Sequence, residues 1–249
     1  MTIAASILRE LREAASPEKE AVLRRFFKTG HGEYGEGDRF LGVMVPRIRA
    51  IARAHLAFVR ASDIRTLLAS PLHEARECGL FLLVGQFRAA APTERLALHH
   101  AYLDAVRKGR VNNWDLVDCS APTLVGEFLL DSPPNSLCKG TSLLDSLLQG
   151  DSLWENRVAV VSMLAFIRRG ELDEPFRVCE AALAHPHDLM HKAVGWMLRE
   201  CGKRDLRRLR SFLSGHAPSM PRTALRYAIE RLPAGERKKW LSIPREPRP

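Results

Sequence analysis

Apolar residues recur at helical spacing along nearly the whole chain. The opening stretch MTIAASILRELREAASPEKE reads as an amphipathic helix that ends near a Ser16-Pro17 break. Val22, Leu23, Phe26 and Phe27 then form an i, i+1, i+4, i+5 stripe on a second helix. From Val45 onward, Pro46 marks a helix start, and Ile48, Ile51, Ala52 and His55 share one side. EARECGLFLLVGQF continues the pattern. PTERLALHHAYLDAVRKG starts at Pro92 with a Thr93 cap and closes at Gly109. SLWENRVAVVSMLAFIRRG carries a capping box, Ser152 with Glu155, and a glycine stop at Gly170. HDLMHKAVGWMLRECGKRD and MPRTALRYAIERLP are further helices. No pair of alternating segments flanks a hairpin turn.

Helices of roughly 10–18 residues joined by short loops predict an all-α chain, with antiparallel helix pairs stacked as an α-solenoid. Degenerate pairs at about 40-residue spacing suit HEAT-like repeats; an irregular helical bundle is the alternative. We expect one such domain over residues 1–241 and a disordered tail over 242–249. The segment Asp131–Thr141 reads as a surface linker.

Composition narrows the partners. The 249 residues are 46% hydrophobic and 27% charged, with a formal net charge of +9. Such a balance favours polyanions, nucleic acid ahead of an anionic membrane surface. No run approaches the length of a membrane span, and the N-terminus lacks the order of a secretory signal. Five scattered cysteines without a CxxC pair argue against a disulfide framework and a cysteine zinc site, and point to the cytoplasm.

Candidate chemistry is concentrated in a few places. In VNNWDLVD, Trp114 and Asp118 fall at i, i+4 on one helical face, with Asp115 off to the side. An indole beside a carboxylate suits a cationic ring or an electron-poor sugar; a core tryptophan beside a capping aspartate is the other reading. Trp154 with Arg157, and Trp196 with Arg199, repeat an i, i+3 pairing. Lys203, Arg204, Arg207, Arg208 and Arg210 form a basic row suited to phosphates or simply to water. His185, His187 and His191 lack a characteristic third ligand, so no metal is expected. The glycine-rich loop Gly30–Gly42 has neither a Walker ending nor a preceding strand, and its glycines suit tight turns or close backbone approach.

NWDLVD, LVGEFLLD, SLWENRVAVVSMLAFIRRGE, DLMHKAVGWMLRECGKRD and MPRTALRYAIERLP, in this order, resemble the HEAT-like repeat DNA alkylation repair family of alkylpurine DNA glycosylases. The resemblance implies a solenoid whose concave basic face holds double-stranded DNA. It also implies hydrolysis of the N-glycosidic bond of N3- or N7-alkylated purines, without strand cleavage and without the base-flipping pocket of most glycosylases. By the same match Asp118 is the catalytic carboxylate. Trp114 and Trp196 contact the lesion's sugar and backbone, Arg157 and Arg199 hold phosphates, and Trp154 accompanies Arg157. An aromatic on the second helix approaches the lesion, and Phe26 and Phe27 are both candidates. Asn113, where another aromatic can stand, and the long Gly30–Gly42 loop depart from the pattern. The expected protein is a monomeric, monofunctional glycosylase that needs no cofactor or metal. A non-catalytic paralogue binding damaged or branched DNA, or a protein-binding scaffold, are the alternatives.

Overall fold

The structure, a computed structural model, describes residues 2–132 and 140–245; most of the expected 131–141 linker, including Cys138, and residues 246–249 of the expected tail lie outside it. Every extended element among the described residues is a helix, apart from one isolated bridge between Arg39 and Leu72. No helix among them is long and apolar enough to cross a membrane. The chain divides into two compact units, Met1–Ser120 and Ala121–Pro249.

The first unit contains α1 (Ile3–Glu13), α2 (Pro17–Phe26), α3 (Val45–His55), α4 (Ala61–Leu68), α5 (His73–Ala89), α6 (Pro92–Arg107) and α7 (Trp114–Asp118). Its axis is α5, which packs against α1, α3, α4 and α6 and is buried on all sides over most of its length. That is why EARECGLFLLVGQF carries so little amphipathic contrast: a helix enclosed by others has no polar face to mark. Ile7 and Leu11 of α1, Ile48 and Ile51 of α3 and Leu67 of α4 are buried where these helices pack on α5, as are its own Leu80, Leu83 and Phe87. Burying side chains of this size contributes about 1.5–3 kcal/mol each.

Local signals set the boundaries. Ser16 Oγ accepts the Lys19 amide and Pro17 opens α2, as the Ser-Pro pair predicts. The expected Thr93 cap is corrected. Pro92 stands in the first turn, Ala91 is the cap, and Glu94 Oε2 accepts the Ala91 amide instead. A carboxylate three residues on can reach back to the cap amide, the bond that Glu94 makes in place of the threonine two residues past the cap. Gly109, at φ 66°, closes α6 as expected.

Of the apolar stripe on α2 and just past its end, only Phe27 is buried. The helix has no buried residue, and Val22 and Phe26 are exposed. What lies beside it is the Gly30–Gly42 loop, which is firmly seated. The Glu74 carboxylate of α5 accepts the backbone amides of Leu41, Gly42 and Val43 at 2.8–3.2 Å. Leu41 O accepts from Ser16 N at 2.9 Å, and Arg39 O from His73 N at 2.8 Å. Gly42, at φ 81°, lies so close to the Ser16 carbonyl and the Glu20 amide that a Cβ would collide with backbone. The glycine there answers a close approach as well as a left-handed turn.

The second unit starts with a π-helical turn, Pro122–Glu127, running into α8 (Phe128–Asp131). It continues through α9 (Gly140–Gln149), α10 (Leu153–Arg169), α11 (Asp173–Ala181), α12 (Asp188–Arg204), α13 (Leu206–His216), α14 (Arg222–Ala228) and α15 (Ala234–Ser242). α10 and α12 pack on one another, and between them touch α9, α11, α13 and α14. Ser152 Oγ caps α10 by accepting from the Glu155 amide, and Gly170 ends it at φ 86°, as its sequence predicts. Gly195 lets α12 press against the Ala224 carbonyl of α14, where a Cβ would not fit.

Candidate functional site

Five-residue α7 is the nearest thing to a platform for chemistry. Asn113 caps it, its Oδ1 accepting the Trp114 amide at 2.9 Å, while its Nδ2 donates to Asp38 Oδ2 at 3.4 Å. Asn113 is fully buried, so an aromatic at this position would lose both bonds. The departure noted at this residue therefore has a structural cause.

Trp114, Asp115, Asp118 and Cys119 line a pocket of about 410 Å³ in the first unit. Leu23, Phe26 and Phe27 supply a second wall, Phe40, Val43, Met44 and Val45 a third, and Arg49, His73, Glu74 and Glu77 the rest. The apolar stripe of α2 is thus the wall of a cavity. The aromatic rings form a continuous stack: Trp114 on Phe27 (centroids 5.4 Å apart), Phe27 on Phe40 (5.1 Å) and Phe40 on the His73 imidazole (4.4 Å). Phe26 meets Trp114 edge-on at 5.8 Å. The two phenylalanines differ sharply in position. Phe27 is 6% exposed and sandwiched, whereas Phe26 is 59% exposed at the rim.

Behind the stack runs a buried ionic chain. Arg76 donates to Asp38 Oδ1 at 2.6 Å. His73 Nδ1 donates to Asp38 Oδ2 at 2.7 Å, and His73 Nε2 donates to Asp115 Oδ2 at 2.8 Å. Carboxylates can only accept, so both ring nitrogens carry hydrogen and His73 is an imidazolium. Burial alone would lower its pKa, but Asp115 and Asp38 overrule that and hold it at about 10. Burial would likewise raise Asp38; the His73 hydrogen bond and charge, with Arg76, leave it below the usual carboxylate range. Asp115, expected off to the side, is drawn into the pocket wall by His73. The ligand atoms of His73, Glu77 and Asp115 lie within 4.8 Å of one another. Both nitrogens of His73 are occupied by carboxylates, however, and a metal would have to displace a proton held to about pH 10.

A raised histidine pKa stabilises the fold fully below the unfolded value, near 6.5, and the contribution is lost as pH rises through about 10. We expect the stability advantage of wild type over His73→Gln, read from urea unfolding, to shrink steadily between about pH 6.5 and about pH 10. An advantage that stays constant over that range would mean that His73 is not held as an imidazolium.

The remaining sequence-selected residues belong to the second unit. Trp154 is half-buried in the first turn of α10. Arg157 is 4% exposed, and its Nη1 donates to Leu189 O at 2.6 Å. A guanidinium so enclosed braces α10 against α12. Trp196 is half-buried beside Arg168, Glu200, Lys203 and Arg204. Arg199 pairs with Glu230 and with Glu200. Much of the basic row is paired as well: Lys203 with Glu200, Arg208 with Asp173 and Arg210 with Glu236. His185 and His191 bond Asn156 and the His185 carbonyl respectively.

Asp38, His73, Arg76 and Glu77 were not singled out from sequence. A usable signal was present: charged residues crowd the first turns of a segment that is otherwise apolar all round, and charges so placed must find partners.

Over residues 7–232 the chain matches the model of a family described as DNA alkylation repair enzyme. A comparison with curated proteins returns no match. Among solved structures it is similar to a predicted DNA alkylation repair enzyme from Enterococcus faecalis. The TM-score is 0.65 at 15% identity, covering 88% of this chain and 97% of that one. At that identity the likeness speaks for the all-helical fold alone.

Proposed function

Because the chain belongs to the DNA alkylation repair enzyme family, we propose that it is a DNA glycosylase that hydrolyses the N-glycosidic bond of cationic N3- or N7-alkylated purines in duplex DNA. The observation that carries the reading is the shared pocket of Trp114 and Asp118, indole and carboxylate at one aromatic-walled opening.

The chemistry fits those two groups. An alkylated purine already bears positive charge, so it leaves with the bonding electron pair as a neutral base and needs no general acid. The difficulty lies in the sugar, which gains oxocarbenium character as C1′–N breaks. The Asp118 carboxylate stabilises that charge and orients a water toward C1′; as the C–O bond forms, Asp118 takes the water's proton. The Trp114 face adds a cation–π contribution of about 0.5–2 kcal/mol. Of the two candidate aromatics, Phe26 at the exposed rim is the one we assign to the substrate, with Phe27 supporting Trp114 from behind. None of the described residues lining the pocket is a lysine, in keeping with simple hydrolysis and no strand cleavage. No cofactor enters this scheme.

The reading takes the helix pairs as HEAT-like repeats with a basic surface toward DNA. In the second unit, Trp196 and Arg199 are the residues we assign to the backbone, Arg199 by exchanging Glu230 for a phosphate. Arg157 we assign to packing, on the strength of its bond to Leu189 O.

The test is release of 7-methylguanine from a duplex carrying one such lesion. We expect release by wild type and a loss of about 10²–10⁴-fold in Asp118→Asn, with DNA binding retained. No release by wild type, with tight DNA binding by both proteins, would overturn the enzymatic reading in favour of a DNA-binding paralogue.

A further inference from the structure

The last helix, α15, takes no part in the chemistry proposed above, and none of its residues is buried. It is nonetheless pinned. Glu236 accepts two bonds from Arg210 of α13, each of 2.8 Å, and one from Trp240 Nε1 at 3.4 Å. The Ile243 carbonyl, just past the helix end, accepts from Arg222 Nη2 of α14 at 2.6 Å. The row Ala234, Arg237, Lys238 and Leu241, at i, i+3, i+4 and i+7, occupies another side of the helix. With Arg226 of α14, and Ile229 and Glu230 just past its end, that row lines a cleft of about 420 Å³.

Two properties define what this cleft fits. Its apolar lining is aliphatic: Ile229, Ala234 and Leu241. Its charge is cationic. Arg226, Arg237 and Lys238 are exposed and form no ion pair among the described residues, while the one acid, Glu230, is held by Arg199. Three cations around an aliphatic hollow select an anion that brings an apolar side chain with it. Nucleic acid supplies the charge, but its bases stack on aromatic faces, and no aromatic lines the cleft. An anionic membrane takes apolar residues that project, not ones that line a hollow. Residues 245–249 of the chain itself carry two arginines against one glutamate, and a second copy, at net charge +9, is repelled.

We propose that the cleft between α14 and α15 docks an acidic peptide segment of another protein, with an aliphatic side chain in the hollow and flanking carboxylates on Arg226, Arg237 and Lys238. The proposal is independent of the glycosylase reading. It uses no residue of the aromatic pocket and holds equally for a DNA-binding paralogue.

The test uses the full chain and a fluorescein-labelled peptide of five aspartates followed by two leucines, read by anisotropy. We expect a dissociation constant of about 10–100 μM at about 50 mM salt, and at least about tenfold weaker binding when alanines replace the leucines. Leu241→Ser should bind the two peptides alike. Lys238→Glu should weaken the leucine peptide by at least about tenfold, since it turns an attraction into a repulsion. Both positions are exposed on α15, and thermal transitions check that the variants fold. Equal binding of the two peptides by wild type, or unchanged binding of the leucine peptide by Lys238→Glu, overturns the proposal. Single-stranded DNA or phosphatidylglycerol vesicles that bind wild type and lose affinity in Lys238→Glu, with no binding of the leucine peptide, would overturn it too, and assign the cleft to nucleic acid or to membrane.

Discussion

Replacing Asp38 by asparagine should cost about 3–5 kcal/mol in urea unfolding near neutral pH, the scale for removing one partner of a buried ion pair. The side chain is fully buried and accepts from Arg76, His73 and Asn113, with its Oδ1 also taking the Arg39 amide. Asparagine has one acceptor oxygen, so its amide nitrogen must face either the guanidinium or the imidazolium, donor against donor. Two cations would remain with one neutral oxygen. His73 would lose one of the two carboxylates that hold it at about 10, and burial would drive it down. A neutral His73 no longer needs Asp115, so the wall behind Trp114 would loosen. The readouts are the unfolding free energy and the titration of His73 by NMR. A loss below about 1 kcal/mol with His73 unchanged would show that the chain from Arg76 to Asp115 is not one electrostatic unit.

Glu74→Ala is expected to be nearly as damaging, by about 3–5 kcal/mol, for a different reason. The carboxylate is the sole described partner of three backbone amides in sequence, those of Leu41, Gly42 and Val43. Removing it strands those donors in a buried turn, at about 1–3 kcal/mol each, offset in part by water entering the gap. The functional consequence should exceed the thermodynamic one. The same turn carries Phe40 and Val43 into the pocket wall and holds α2 through the Ser16–Leu41 bond, so Phe26 and Phe27 lose their seat. Glu74→Gln keeps shape and one acceptor, and should recover roughly half of the lost stability. A Glu74→Ala protein that unfolds like wild type would mean that the loop is held by its glycine turns alone.

Both variants act through the glycine-rich loop, the element whose meaning changed most between sequence and structure. Its glycines were legible as turn and close-approach positions, and Gly42 bears that out against the Ser16 carbonyl. Its role as the carrier of Asp38 and Phe40 was not legible. Asp38 and His73 are 35 residues apart, and no local pattern records a pair that meets only after α5 is buried.

By itself the sequence determined what local physics controls. Helical periodicity, the Ser16-Pro17 break, the Ser152 cap and the Gly170 stop are decided within a few residues, by side-chain spacing and by the orphan amides and carbonyls of helix ends. The i, i+4 relation of Trp114 and Asp118 belongs to the same class, because one turn of helix suffices to bring both to one opening. Tertiary structure alone decided which apolar stripe becomes core and which becomes a pocket wall. Periodicity reports that a face is apolar; what covers it depends on elements distant in sequence. It also decided that Arg157 is enclosed, that Phe26 is exposed while its neighbour Phe27 is not, and that the Glu77 carboxyl is buried. Burial and charge pairing are properties of three-dimensional neighbourhoods, and the shifted pKa values of His73 and Glu77 follow from them.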